Sequence, residues 1–187
     1  MLLQSAEAQN KYSGYYKDLF MDSGISLNTY PDLPAAQYLG LSMERFCTAK
    51  ENGIWGNETD NVMQKNVFSG SPIDENGVLL YPDGAPRFRA IYINGGQSTR
   101  HGKTLGESGR NNLRAFYNNG GSFVGTCAGS IIPSKGRHLK DGYKDFEEYL
   151  GIWPGYITGT GLNVSATSLS VEKKCPLLKY YDFGGDY

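Results

Sequence analysis

The segment Gly125-Thr126-Cys127-Ala128-Gly129 constrains the fold of this chain more than any other. It follows Phe123-Val124, a short apolar run that reads as a buried strand. A residue at the tip of a sharp strand-to-helix turn takes a strained backbone conformation. Side chains two positions away on either side would collide across such a turn, and glycine at 125 and 129 removes both collisions. The pattern therefore predicts Cys127 at an elbow, raised at the carboxyl end of a sheet above the start of the next helix. That helix end carries partial positive charge and open N–H groups, which stabilise an anion formed there. Pro133 falls about one turn further on, so the helix is expected to be short or broken.

What precedes the elbow fixes the fold class. Phe88 to Ile93 is apolar, aromatic and β-branched, and it runs into Asn94-Gly95-Gly96, which predicts a strand and a tight loop. Gly106 to Asn118 has helical period, with Leu113, Phe116 and Tyr117 on one face, and Asn119-Gly120-Gly121 stops it. Strand, helix and strand in this order form a βαβ unit with parallel strands and a right-handed crossover. The expectation is one α/β domain: a flavodoxin-like three-layer sandwich with a mostly parallel sheet and a nucleophile elbow.

Elsewhere the chain says less. Residues 1–30 are polar and tyrosine-rich without a clear period and are expected to be loosely ordered, leaving 31–187 as the α/β domain. Pro31 to Phe46 reads as a helix, since Leu39, Met43 and Phe46 recur at i, i+4 and i+7. Residues 50–66 read as loop. Val67-Phe68 and Val78 to Tyr81 read as short strands around the turn Asp74-Glu75-Asn76-Gly77. The formal net charge of −1 gives no electrostatic reason to expect nucleic acid or an anionic membrane as partner. No apolar run is long enough for a membrane span, and the N-terminus lacks the form of a signal peptide, so a cytoplasmic location is the default expectation. Cys47, Cys127 and Cys175 make an odd count without metal-ligand spacing. No metal and no cofactor are expected.

An oxyanion hole needs at least two convergent N–H donors. The N–H of Ala128 is one candidate. The N–H of Gly96, in the loop after the neighbouring strand, is the other, and paired glycine-rich loops at the carboxyl ends of adjacent parallel strands are where open α/β sheets bind ligands. Three stretches carry a resemblance: the strand and loop Tyr92-Ile93-Asn94-Gly95-Gly96, the helix end Phe116 to Gly121, and the elbow Gly125 to Ser130. Tyr149-Leu150-Gly151-Ile152-Trp153-Pro154-Gly155 adds to it. On these residues the region 88–155 resembles the class I glutamine amidotransferase-like superfamily, and within it the biotin–protein ligase N-terminal-domain group. The resemblance implies Cys127 as nucleophile, Gly96 and Ala128 as oxyanion donors, and Gly95, Gln97 and Ser130 as substrate-binding residues. It implies a small-molecule substrate with an amide or related acyl carbon.

A base is the missing part. Cysteine nucleophiles normally work with a histidine oriented by a carboxylate, and no His-Pro-Glu-like segment is present. His138 sits in a polar stretch that reads as solvated loop, whereas His101 follows the glycine loop; for both, an exposed loop histidine is the plainer reading. Two expectations follow. Either the chain is a fragment and sequence beyond Tyr187 supplies His and Glu, or the fold is a catalytically inactive module that binds a small ligand or a partner. For Cys127 itself the plain alternative is a small thiol buried in a core turn.

Overall fold

The computed structural model describes residues 14–22, 34–46 and 79–159. Four parallel strands form the main sheet: β1 (Lys17–Asp22), β2 (Met43–Phe46), β3 (Phe88–Ile93) and β4 (Ser122–Gly125), in the order β2-β1-β3-β4. Helix α1 (Ser98–Asn118) crosses from β3 to β4, and the short α2 (Ala128–Ile131) follows β4. The chain is therefore α/β with a parallel sheet, and the βαβ unit forms where the sequence predicts it. A smaller sheet, ordered β6-β5-β7, is built from β5 (Gly136–Leu139), β6 (Gly142–Asp145) and β7 (Tyr156–Thr158). β5 and β6 pair antiparallel, Leu139 opposite Gly142, so Lys140-Asp141 is the connecting turn.

The main sheet is apolar on both faces. Phe20 of β1 and Ile91 of β3 are register partners on one face, in a cluster with Leu105, Leu113 and Phe116 of α1. On the other face Leu19 and Met21 pair with Ala90 and Tyr92 and pack against Ala36. That two-sided burial explains why β1 departs from expectation. Residues 17–22, inside the stretch read as loosely ordered, form a strand with partners on both sides, and a strand buried on both faces shows no alternation to detect. Its polar start is satisfied from β2 and the residue before it: Lys17 pairs with Glu44, and Ser42 N–H and Oγ both donate to Asp18 Oδ2.

The helix expected over Pro31–Phe46 is corrected as well. Residues 34–38 make one helical turn. Gly40, at φ +69°, ends it, as a left-handed cap does. Met43 and Phe46 then belong to β2, and Leu39 is largely exposed. Of the strand read over Val78 to Tyr81, the described residues 79–81 form none: Leu80 makes an isolated antiparallel bridge to Pro86 around the turn Tyr81–Ala85. The readings at 50–66, 67–68 and Cys175, and those about the chain's end, lie outside the described residues.

Helix α1 begins earlier than its periodicity indicates and is broken at Gly106, whose φ of 65° and ψ of 178° are not helical. The two halves serve different ends. Residues 98–105 follow directly from the glycine loop. Residues 107–118 lie over the sheet, and there Arg114 donates to the carbonyl oxygens of Tyr149 and Leu150. Burial, the largest cause, pulls the Arg114 guanidinium below its usual pKa, and neighbouring Arg110 adds to the shift.

Candidate active site

Strands β3 and β4 end side by side, Ile93 opposite Gly125. The turn after β4 is bound to the end of β3: Thr126 N–H donates to Ile93 O over 3.1 Å. Cys127 then takes φ 51° and ψ −117°. Among the described residues it is the one non-glycine residue with positive φ, a conformation that L side chains rarely adopt. The thiol is free and exposed, which excludes the reading of Cys127 as a buried core thiol.

The flanking glycines are required by contact. A Cβ on Gly125 would lie 2.2 Å from Gly129 O, and a Cβ on Gly129 would lie 1.9 Å from Ile93 O. These are backbone atoms, one in α2 and one in the paired strand β3, and cannot move aside cheaply. The turn closes with Gly129 N–H donating to Thr126 O and Ser130 N–H to Cys127 O. Helix α2 stops after one turn, at the Ile132-Pro133 step, as Pro133 predicts. Ala128, its first residue, is buried, and among the described residues its N–H has no backbone acceptor, as the start of a helix requires.

The loop after β3 is tied to this turn. Asn94 is buried; its Oδ1 accepts from Gly95 N–H at 2.6 Å and from Thr126 Oγ1 at 3.4 Å. Tyr92 Oη lies 3.1 Å from the same threonine oxygen. Tyr92, Thr126 and Asn94 thus link the two loops. Gly96 is exposed with φ +144°, and Gln97 is the exposed cap residue of α1. Gly95 is buried. Ser130 is exposed, but its hydroxyl donates to Cys127 O at 2.7 Å and so braces the turn.

The histidines differ from the exposed loop residues expected of them. His101 is fully buried in α1, with Nε2 2.9 Å from where a Cβ on Gly96 would stand. His138 is exposed, but it lies on β5 and stacks on Tyr143 at 4.6 Å. Glu107, the nearest acidic residue after His101 on α1, is exposed just past the break at Gly106. Among the described residues no group of three or more His, Cys, Asp or Glu side chains could hold a metal ion. No helix there is long and apolar enough to cross a membrane.

Sequence reasoning missed Asn94, Thr126 and Tyr92 as the link between the loops, and Ser98, Arg137 and Tyr149 beyond them. Asn94 and Thr126 stand inside the motifs themselves, so their position was the available signal. Arg137 sits in a basic stretch that reads as solvent-facing. Compared with protein families, with curated proteins and with solved structures, the chain finds no match.

Proposed function

We propose that this chain carries a nucleophile elbow on a flavodoxin-like sheet and acts as a cysteine-dependent amidotransferase- or hydrolase-like domain. The backbone of Cys127 carries this reading: a strained, exposed thiol between two glycines that have no room for a side chain. Strain at one residue of an otherwise relaxed sheet persists only where the surroundings impose it, and it clusters at functional positions. The strand order β2-β1-β3-β4 supports the finer fold assignment, being the first four strands of the flavodoxin-like order. Kinship with the class I glutamine amidotransferase-like superfamily remains part of the proposal and rests on the motif residues named above.

In the proposed reaction, Cys127 Sγ adds to the carbonyl carbon of an amide or ester. Charge collects on the former carbonyl oxygen, and the N–H groups of Gly96 and Ala128 are its donors. Collapse of the tetrahedral adduct breaks the bond to the amine or alcohol, which leaves with a proton. The acyl group stays on sulfur as a thioester until water or a second nucleophile releases it.

The test compares alkylation of Cys127 with that of Cys47 and Cys175 at neutral pH, and turnover of glutamine and of simple esters by wild type and Cys127→Ala. Faster labelling of Cys127, with turnover lost in the variant, is the expected result. Equal labelling of all three thiols, or unchanged turnover, refutes it. A second reading, a catalytically inactive binding module, is favoured by the enclosure of His101 and the stacking of His138 on Tyr143. It predicts ligand binding that survives Cys127→Ala, with no turnover by wild type.

A further inference from the structure

A second polar cluster borders the glycine loop. Ser98 and Tyr149 are 3% and 2% exposed, and their hydroxyl oxygens lie 2.8 Å apart. Arg137 donates from Nε to Tyr149 Oη over 2.9 Å and from Nη2 to Ser98 Oγ over 3.1 Å. Its guanidinium also stands 6.0 Å from the centre of the Phe146 ring, which itself stacks on Tyr149. The cation is thereby held in one orientation by partners from two other segments of the chain, the start of α1 and residues 146–149.

Those partners do not neutralise it. Both are hydroxyls, and among the described residues no carboxylate forms an ion pair with Arg137. Of the carboxylates near it in sequence, Asp145 accepts from Tyr156 Oη at 2.6 Å, Glu148 faces Lys103 at 3.9 Å, and Asp141 and Glu147 are exposed without an ion pair to Arg137. A second cation adds to the imbalance. Lys144 is the cross-strand partner of Arg137, and its ammonium lies 5.7 Å from the same Phe146 ring. Like charges opposite each other in a sheet are destabilising, and a planar anion at Arg137 would relieve that. Guanidinium has five N–H donors, of which the two hydroxyls take two. The remaining donors suit a carboxylate, which an oriented guanidinium binds with geometric specificity.

Position links this cluster to the thiol. Ser98 is two residues past Gly96, a separation of at most about 7 Å along the chain. The Cys127 turn rests on the same loop, a Cβ on Gly129 falling 3.0 Å from Asn94 O. The geometry points to a carboxylate subsite: Arg137, oriented by Ser98 and Tyr149, binds the carboxylate of an acyl substrate whose reacting carbonyl lies at Cys127. This rests on the nucleophile reading for the reacting end, whereas the carboxylate end stands on the Arg137 cluster alone.

Two maleimides differing in charge test it. Labelling of Cys127 by maleimidopropionate, relative to neutral N-ethylmaleimide, is measured for wild type, Arg137→Gln and Lys140→Gln, with a free cysteine amide as reference. Wild type is expected to favour the anionic probe over the reference ratio. Arg137→Gln should lose about tenfold of that preference, with N-ethylmaleimide labelling unchanged, and Lys140→Gln should retain it. A preference unaltered by Arg137→Gln overturns the subsite. Should that variant not fold, a wild-type ratio no higher than the reference overturns it instead, provided glutarate also fails to stabilise. Thermal stabilisation by glutarate is measured in Cys127→Ser, where the thiol plays no part. Glutarate stabilisation alongside slow labelling by both maleimides keeps the carboxylate subsite and rejects the nucleophile reading.

Discussion

Gly129 stands against the carbonyl of Ile93 so closely that a methyl group in place of its hydrogen would lie 1.9 Å from the oxygen. That contact joins the turn after β4 to the end of β3, and it is what allows the Cys127 turn to sit directly on the neighbouring strand. Gly129→Ala is therefore expected to cost about 2–4 kcal/mol in urea unfolding, as overpacking against an unyielding backbone does. Gly125→Ala, facing Gly129 O at 2.2 Å, should cost a similar amount. A loss under 0.5 kcal/mol for either would be what a typical surface substitution shows, and would mean that the turn is not packed in this way.

Cys127 supplies a prediction of opposite sign. Its φ of 51° is tolerated by glycine and strains any side chain. Relieving such strain is worth about 1–3 kcal/mol, and the extra freedom of glycine in the unfolded chain takes back about 0.5–1 kcal/mol. Cys127→Gly is expected to be more stable than wild type by roughly 1 kcal/mol on these terms. Cys127→Ala keeps the strain and should gain little. Both remove the thiol, so a stabilised Cys127→Gly would display the energetic cost of holding a side chain at this turn. A Cys127→Gly less stable than Cys127→Ala would contradict the strain.

Much of the centre of the molecule was legible because its signals are local. The apolar run at Phe88–Ile93, the helical stripe of Leu113 and Phe116 and the glycines around Cys127 each state their conformation within a few residues. β1 was not legible, because Leu19, Phe20 and Met21 are all buried, on opposite faces, and present neither period. The helix read over Pro31–Phe46 failed at Gly40, where a single left-handed residue outweighs an apolar spacing of helical period. The hairpin of β5 and β6 had a turn signal in Asp141-Gly142 that the charged stretch around it obscured. At the candidate site, the need for glycine on either side of Cys127 could be read from residue type alone. Arg137 could not, since its partners Ser98 and Tyr149 are 39 and 12 residues away, and only the fold brings them together.

Asp18 gives a pH prediction. The Ser42 hydroxyl, then the Ser42 N–H, then the charge of Arg89 hold its carboxyl below the usual carboxylate range. A group whose folded pKa is depressed adds stability that is present above its unfolded pKa, about 3.9. That stability is lost as pH falls toward and through the lower folded value. Asp18→Asn should therefore be less stable than wild type at neutral pH, and the difference should shrink steadily below about pH 4. Urea midpoints measured across that range check it. A difference that is constant with pH would assign the effect of Asp18→Asn to packing alone.

The last prediction concerns the floor of the glycine loop. Gly96 has φ +144°, and a Cβ there would fall 2.9 Å from His101 Nε2 and 3.2 Å from Cε1. Gly96→Ala thus carries two separable penalties, backbone strain of about 1–3 kcal/mol and collision with the buried ring. Only the second depends on His101. In a double-mutant cycle, Gly96→Ala combined with His101→Ala should be less damaging than the sum of the single changes, by about 1 kcal/mol. The strain remains in the double variant, so full recovery is not expected. Additive losses would show that His101 does not support the loop, and the enclosed histidine would then have to be assigned to the interior of α1 alone. Coupling of the expected sign makes His101 the residue that fixes the height of Gly96, and with it the direction of the N–H group proposed to face the oxyanion.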